Sequence, residues 1–189
     1  MSRQKVKKSC EVLTPELVIR SRLRRLADQD ELKSFAAKLV WMILLLALLF
    51  GGIFGITSMR NNDMMPRISS GDLVLYYRLE QKLRSRDVVV FEKSGVQYIG
   101  RIVAAGGDSV EITEDSHVKV NGSTVVETDI YYSTPRYESD VEYPVVLDEN
   151  QYFILGDFRD NARDSRFFGP VAKSEIKGKV ITVVRRSGL

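Results

Sequence analysis

One apolar segment divides the chain into parts of different character. From Leu39 to Met59 the sequence LVWMILLLALLFGGIFGITSM has 21 residues without a charge, bounded by Lys38 and Arg60. At ~1.5 Å per helical residue this segment is roughly 31 Å long, about the thickness of a bilayer's hydrocarbon core. A cleaved signal peptide has a shorter apolar region behind a shorter basic leader. We therefore predict a transmembrane helix over residues 39–59.

Residues 60–189 show short apolar runs separated by turn signals. Runs rich in β-branched and aromatic residues predict strands at 73–77, 88–91, 97–103, 109–113, 151–155 and 180–184. Asn121-Gly122 lies between alternating apolar residues and predicts a hairpin with a two-residue type I′ turn. Residues 127–150 are polar and tyrosine-rich, which predicts a long excursion. The fold class we predict is mainly β, an antiparallel sandwich-like or barrel-like domain behind the membrane helix.

Charge is distributed unevenly along this chain. Residues 1–38 contain ten Lys or Arg against five Asp or Glu, whereas the remainder holds 18 bases and 20 acids. The sequence pI of about 8.9 therefore belongs to the arm and does not indicate a nucleic-acid-binding domain. A basic excess before a membrane helix favours a cytoplasmic N-terminus. We predict a basic cytoplasmic arm at 1–38 that lies on membrane lipid, a single membrane pass at 39–59, and an extracellular β domain at 60–189.

The sequence shows no cofactor motif, metal-ligand cluster or phosphate-binding loop, so we predict no cofactor and no metal. The single cysteine, Cys10, lies in the basic arm and excludes an intrachain disulfide. His117 is the only histidine and lies beside the predicted hairpin, where a strand-end role is favoured over catalysis.

Four motifs follow one another in residues 60–189. They are Met64-x-Pro66 with Gly71-Asp72, then DVVVF at 87–91, then Tyr98-Ile99-x-Arg101 with Gly107-Asp108, and finally GDFRDNARDSRFFG at 156–169. In order and internal spacing they resemble the motifs of type I signal peptidases, the S26-like family. The resemblance covers residues 39–184. It implies a membrane anchor and an outer β domain of the kind that cuts signal peptides at the membrane surface.

The resemblance also assigns three catalytic positions, and none carries the family's residue. The serine nucleophile stands eight residues before the first Gly-Asp, where this chain has Asp63. The general-base lysine stands seven residues before the second Gly-Asp, where this chain has Gly100. The serine that orients this lysine corresponds to Ala162. The resemblance thus implies a signal-peptidase frame whose catalytic residues are all replaced.

These replacements predict an inactive protein, a pseudoenzyme. Asp63 has no hydroxyl to deprotonate, and its charge would lie near the oxyanion of a tetrahedral intermediate. Gly100 supplies no base. Loss of both members of a coupled unit typically costs ~10⁶ in rate. One alternative is an active signal peptidase with unorthodox residues, such as an acid pair of Asp63 with Asp157 or Asp164. Ser58, Ser69 and Ser70 are not favoured as substitute nucleophiles, because they are better explained as helix-end and turn residues.

Two further sets of residues have predicted roles. Asp63, Met64, Met65 and Ile68 are candidates for a peptide-binding groove, in which Asp63 either receives a Lys or Arg from a bound polypeptide or remains solvated. The three apolar members have core or lipid contact as an equal alternative. Gly100 should leave the groove floor more open. In the last motif, Asp164 and Arg166 are expected to form a structural pair, and Gly156-Asp157 a turn.

The pattern of aspartate for serine and glycine for lysine resembles the signal-peptidase-like proteins of Gram-positive pilus loci. That resemblance implies a membrane-anchored binding or chaperone factor in pilus assembly, with a pilin subunit and a class C sortase as partners. Signal peptides remain a further ligand class. The other alternative is a scaffold that positions another protein through its membrane segment.

Overall fold

The computed structural model describes residues 15–185, apart from the side chains of residues 15, 17, 18 and 21–27. The start of the predicted basic arm, including Cys10, lies outside the described residues. The chain divides into two units, Met1–Ala47 and Leu48–Leu189, which are described separately.

A single long helix accounts for the described part of the first unit. Helix α1 runs over Pro15–Leu48 and passes into a π-helical turn at Leu49–Ile53. Within it, Asp28–Ile53 is long and apolar enough to cross a membrane. The prediction of a helix through Met59 is wrong at its C-terminal end, because Phe54–Ser58 form strand β1. Gly51 and Gly52 weaken the helix just before that point, and the aromatic and β-branched residues that follow favour a strand.

The second unit is built from two antiparallel sheets. The larger has seven strands in the order β1-β2-β11-β3-β4-β9-β10, and the smaller has four in the order β7-β6-β5-β8. The remaining strands of the larger sheet are Leu73–Tyr77 (β2), Val88–Lys93 (β3), Val96–Ala105 (β4), Gln151–Leu155 (β9), Val171–Ala172 (β10) and Ile176–Val184 (β11). The smaller sheet contains Ser109–Ile112 (β5), Val118–Val120 (β6), Ser123–Thr124 (β7) and Val145–Val146 (β8). The predicted mainly antiparallel β fold is confirmed.

Two short helices complete the second unit. Helix α2 covers Ser165–Phe168 and a 3-10 turn covers Lys173–Glu175. The predicted hairpin is also present: Asn121 and Gly122 have φ of 52° and 78° between β6 and β7, the two left-handed residues that a type I′ turn requires. His117 is exposed directly before β6, as predicted.

Three buried clusters hold the sheets together, and one of them lies under the predicted site. It contains Met59, Met64, Ile68, Val74, Tyr76, Val90 and Ile99, with Val88, Val180 and Val183 packed against it. Its members come from β2, β3, β4 and the loop after β1. The first motif therefore supplies core residues as well as the predicted nucleophile position.

Candidate functional site

The loop between β1 and β2 carries Asp63 and is fixed at both ends by backbone hydrogen bonds. The Met59 amide donates to Asp72 O at 2.8 Å, and the Gly71 amide donates to Met59 O at 2.8 Å. Inside the loop, the Ser69 amide donates to Asp72 Oδ2 at 2.9 Å. The Gly71-Asp72 pair of the first motif thus closes the loop, which holds Asp63 in a defined place.

Asp63 is bonded within the protein through its carboxylate and through its backbone. Its Oδ2 accepts from Asn61 Nδ2 at 2.6 Å and from the Arg163 amide at 3.4 Å. Its own amide donates to Asn61 Oδ1 at 3.4 Å, and its carbonyl accepts from the Phe158 amide at 2.9 Å. Asp63 therefore ties the first motif to the last one.

Burial raises the pKa of Asp63, and the negative charge of Asp164 raises it further. The Arg163 amide, Asn61 and the Arg166 guanidinium act in the opposite direction. No Lys or Arg side chain that the structure describes forms an ion pair with Asp63. Asp63 is half-buried, and two N–H donors bind its carboxylate, so a solvated carboxylate would be only partly in contact with water. A cation from a bound polypeptide remains a prediction.

Gly100 lies in the middle of β4, opposite Val89 of β3, and it is buried. A Cβ atom at this position would lie 2.5 Å from Ile154 Cγ2, 3.2 Å from Leu155 O and 3.4 Å from Phe91 Cε1. The expected open floor at Gly100 is therefore wrong. The Ile154 methyl group occupies the space into which a side chain would extend.

Ala162 lies against Gly156 and the backbone of Asp63. A Cβ at Gly156 would be 2.3 Å from Ala162 Cβ and 2.6 Å from Asp63 O, so only glycine allows this approach. Ala162 is 1 % exposed, and its carbonyl accepts from the Tyr137 hydroxyl at 3.0 Å. The structure thus brings Asp63 and Ala162 together around Gly156. Gly100 instead packs against Ile154, which lies two residues before Gly156.

Buried arginine pairs form the frame behind these positions. Arg166 binds Asp164 through Nε at 2.9 Å and Nη2 at 2.8 Å, so the predicted structural pair is confirmed. Arg101 binds Asp157 in the same bidentate way, at 2.7 Å and 2.6 Å. The turn role predicted for Asp157 is incomplete, because its carboxylate joins the bend after β9 to strand β4.

The apolar groove candidates differ in exposure. Met64 is 0 % exposed and Ile68 is 4 % exposed, and both belong to the core cluster. Met65 is half-buried. The core alternative therefore holds for Met64 and Ile68, which present little or no free surface to a ligand.

Sequence reasoning missed three residues that shape the site. Asn61 belongs to none of the four motifs, yet its side-chain amide donates to Asp63. Ile154 belongs to an ordinary strand pattern, and nothing in the sequence indicates that it fills the space at Gly100. Tyr137 lies in the excursion, with its ring over the Arg166 guanidinium at 4.1 Å and its hydroxyl on the carbonyls of the last motif.

Comparison with known proteins finds relatives named as signal peptidases and relatives named as inactive signal peptidases. The chain is 28% identical over 130 residues to a probable signal peptidase I-2 of Synechocystis, covering 63% of this chain and 57% of that protein. It is 34% identical over 100 residues to signal peptidase I S of Bacillus subtilis, covering 49% and 54%. It is 25% identical over 127 residues to an inactive signal peptidase IA of Staphylococcus aureus, covering 64% and 72%. The chain thus spans little more than half the length of the first two relatives.

Among solved structures, a signal peptidase I of Enterococcus faecalis matches with a TM-score of 0.44 and 24% identity, covering 54% of this chain and 98% of that chain. Residues 32–185 match the family model described as "Signal peptidase, peptidase S26". The chain belongs to this family.

Proposed function

We propose that the protein is a catalytically inactive signal peptidase homologue that acts as a membrane-anchored binding or chaperone factor in pilus assembly. In this proposal Asp63 and Gly100 replace the nucleophile and the base. The N-terminus is cytoplasmic, the β unit is extracellular, and the partners are a pilin subunit and a class C sortase. The observation that carries the loss of catalysis is the packing of Ile154 in the space next to Gly100.

Three features of the site support the absence of peptidase chemistry. A serine–lysine mechanism needs a hydroxyl whose proton passes to a neutral amine. Asp63 offers a carboxylate with no such proton, and at Gly100 even a Cβ would lie 2.5 Å from the Ile154 methyl, so an amine-bearing side chain would require Ile154 to move. Serine peptidases also use the nucleophile's own amide to stabilise the oxyanion. The Asp63 amide instead makes a long hydrogen bond to Asn61 Oδ1.

An active peptidase with unorthodox residues is the second candidate, because two of the relatives are named as signal peptidases without the word inactive. Incubation of the full chain in detergent with a signal-peptide substrate separates the two candidates. Signal peptidase I S of Bacillus subtilis provides the positive control. We expect no cleavage by the native chain, and cleavage that Asp63→Ala abolishes would overturn the proposal.

A restoration series tests whether the space next to Gly100 can hold the lysine that the family has at this position. Asp63→Ser, Gly100→Lys and Ala162→Ser are combined, with and without Ile154→Ala. We expect the lysine side chain to fit only when Ile154 is truncated to alanine. The triple variant should therefore fold poorly, and the quadruple variant that includes Ile154→Ala should fold better. A triple variant as stable as the native chain would contradict this account of the site.

The pilus role requires a separate test in a Gram-positive host that carries the sortase and the major pilin. We expect polymer ladders on immunoblots when the full chain is present and monomeric pilin when it is absent. Ladders of equal length without the chain would exclude the role. A scaffold that acts only through its membrane segment would still support ladders when residues of the β unit are substituted and α1 is unchanged.

A further inference from the structure

An open groove of about 330 Å³ lies beside the loop that carries Met64. Its apolar lining is the half-buried Val88, Val180 and Val183, together with Met64 and Ile68, which contribute little exposed surface. These residues are the open side of the core cluster under the loop. We call this feature the valine groove. Its volume is within the range of ligand-binding clefts.

The mouth of the valine groove is basic. Four cationic side chains line it, against the two carboxylates of Asp87 and Asp157. Both carboxylates are already paired, Asp87 with Lys179 at 2.7 Å and Asp157 with Arg101 at 2.6 Å. The third cation, Arg67, forms a surface pair with Asp129 outside the groove at 3.0 Å, and surface pairs of this kind exchange at little cost.

Arg86 is the fourth cation, and no carboxylate within residues 15–185 forms an ion pair with it. Its side chain donates only to the carbonyl of Val126, at 3.3 Å. Its backbone has a φ of 76°, a conformation that glycine adopts without strain and arginine does not. Two hydrogen bonds hold it there, from its amide to Ile102 O at 2.8 Å and from Arg101 Nη1 to its carbonyl at 3.0 Å. A strained residue that is held this firmly is a candidate for a functional role.

We propose that the valine groove binds a segment of a partner polypeptide in which an apolar side chain is flanked by acidic residues. The apolar side chain enters the groove and contacts the three valines, while a neighbouring carboxylate binds Arg86. This inference rests on the proposed function as a polypeptide-binding protein and names its ligand chemistry. The groove adjoins the replaced catalytic positions, since Met64 follows Asp63 and Arg101 follows Gly100, but Asp63, Gly100 and Ala162 do not line it.

The test uses the full chain in a non-ionic detergent and three short fluorescein-labelled peptides of equal length. One carries a leucine between two glutamates, the second a leucine between two lysines, and the third a serine between two glutamates. Binding is measured by fluorescence anisotropy. We expect the first peptide to bind most tightly and to weaken as salt is added, because exposed charge pairs are screened. Equal or tighter binding of the lysine peptide, or no binding of any peptide, would overturn the proposal.

Arg86→Gly is the informative variant, because glycine keeps the left-handed turn and removes only the side chain. It should weaken the acidic leucine peptide about tenfold, the effect of one charge-assisted hydrogen bond, without lowering the stability of the fold. Arg84→Ala is the matched control, since Arg84 lies in the same turn, is exposed and does not line the groove. If Arg86→Gly and Arg84→Ala weaken binding of the acidic leucine peptide equally, the role of Arg86 is refuted.

Three further outcomes separate this inference from the proposed function. Binding of a fluorescent short-chain phosphatidylglycerol in the same detergent, abolished by Arg86→Gly and with no peptide binding, would assign the groove to anionic lipid and overturn the inference. Tight binding of the lysine peptide that Asp63→Ala abolishes would also overturn it but keep the protein as a polypeptide binder. Cleavage of a signal-peptide substrate would overturn the proposed function, whatever the peptides show.

Discussion

Adding one methyl group at Gly100 should destabilise the β unit, because Ile154 already fills the space that the methyl would enter. Gly100 has no left-handed backbone that would exclude alanine, so packing decides the result. A Cβ at 2.5 Å from Ile154 Cγ2 is closer than real contacts allow, and overpacking of this kind costs ~1–3 kcal/mol. The reduced chain entropy of the unfolded state offsets ~0.4–1 kcal/mol. We expect a net loss of about 1–2 kcal/mol in the free energy of unfolding, within the same range.

A double-mutant cycle with Ile154→Ala isolates this contact. Ile154 is 0% exposed, so its truncation alone should cost ~2–5 kcal/mol. Because alanine at 154 removes the obstructing methyl, the double variant should be more stable than the sum of the single effects predicts, by about 1–2 kcal/mol. Ile154→Val is the matched control, since valine keeps the branch at Cβ and should show little coupling to Gly100→Ala.

Urea denaturation of the full chain in detergent, followed by the circular dichroism of the sheets, measures all of these values. Tryptophan fluorescence is unsuitable because the only tryptophan, Trp41, lies in α1. A Gly100→Ala variant as stable as the native chain, or equal coupling to alanine and valine at 154, would refute the reasoning. It would also remove the packing argument for the loss of the base.

Three other substitutions test the frame of the site. Asp164→Ala leaves the Arg166 guanidinium buried without its bidentate partner and should cost ~3–5 kcal/mol in urea denaturation; a cost below 1 kcal/mol would contradict the pair's structural role. Tyr137→Phe keeps the ring on Arg166 and removes a hydroxyl that donates to two backbone carbonyls. We therefore expect the free energy of unfolding to fall by about 1 kcal/mol, and unchanged stability would contradict this. Because burial raises the folded-state pKa of Asp63 above 3.8, the carboxyl's contribution to stability is complete below about pH 3.8 and is lost as the pH rises through the folded pKa. The stability of Asp63→Asn relative to the native chain should therefore increase with pH across this range, and a constant difference would contradict the direction of the shift.

The strands and the hairpin could be predicted because their signals are local. Leu73–Tyr77 forms the strand that its β-branched and aromatic residues indicate, and Asn121-Gly122 forms the turn that its two residues favour. The end of the membrane helix could not be placed, since Phe54–Ser58 continues the uncharged segment without a break. Only its pairing with β2, from Phe54 opposite Tyr77 to Ser58 opposite Leu73, makes it a strand.

At the candidate site, the motifs identified the positions but not their neighbours. The spacing around Asp164 and Arg166 indicated an ion pair, and the pair is present. The packing of Ile154 at Gly100 depends on the register between β4 and β9, which joins Arg101 to Leu155 and Ile102 to Ile154. The register cannot be read from the sequence, so the sequence gives no signal for the contact. The same holds for Arg86, whose left-handed backbone depends on bonds to Ile102 and Arg101.

The excursion over residues 127–150 contains little regular structure, yet two fully buried arginines attach it to the last motif. Arg159 binds Glu127 at 2.7 Å and Thr134 at 2.9 Å, and Arg166 binds the carbonyl of Pro135 at 3.2 Å. A segment held in this way should exchange its amide hydrogens and resist proteases together with the sheets. For protein engineering, epitope tags and inserted domains therefore belong elsewhere in the chain, because an insertion between Glu127 and Pro135 would separate the anchor points on which the buried arginines depend.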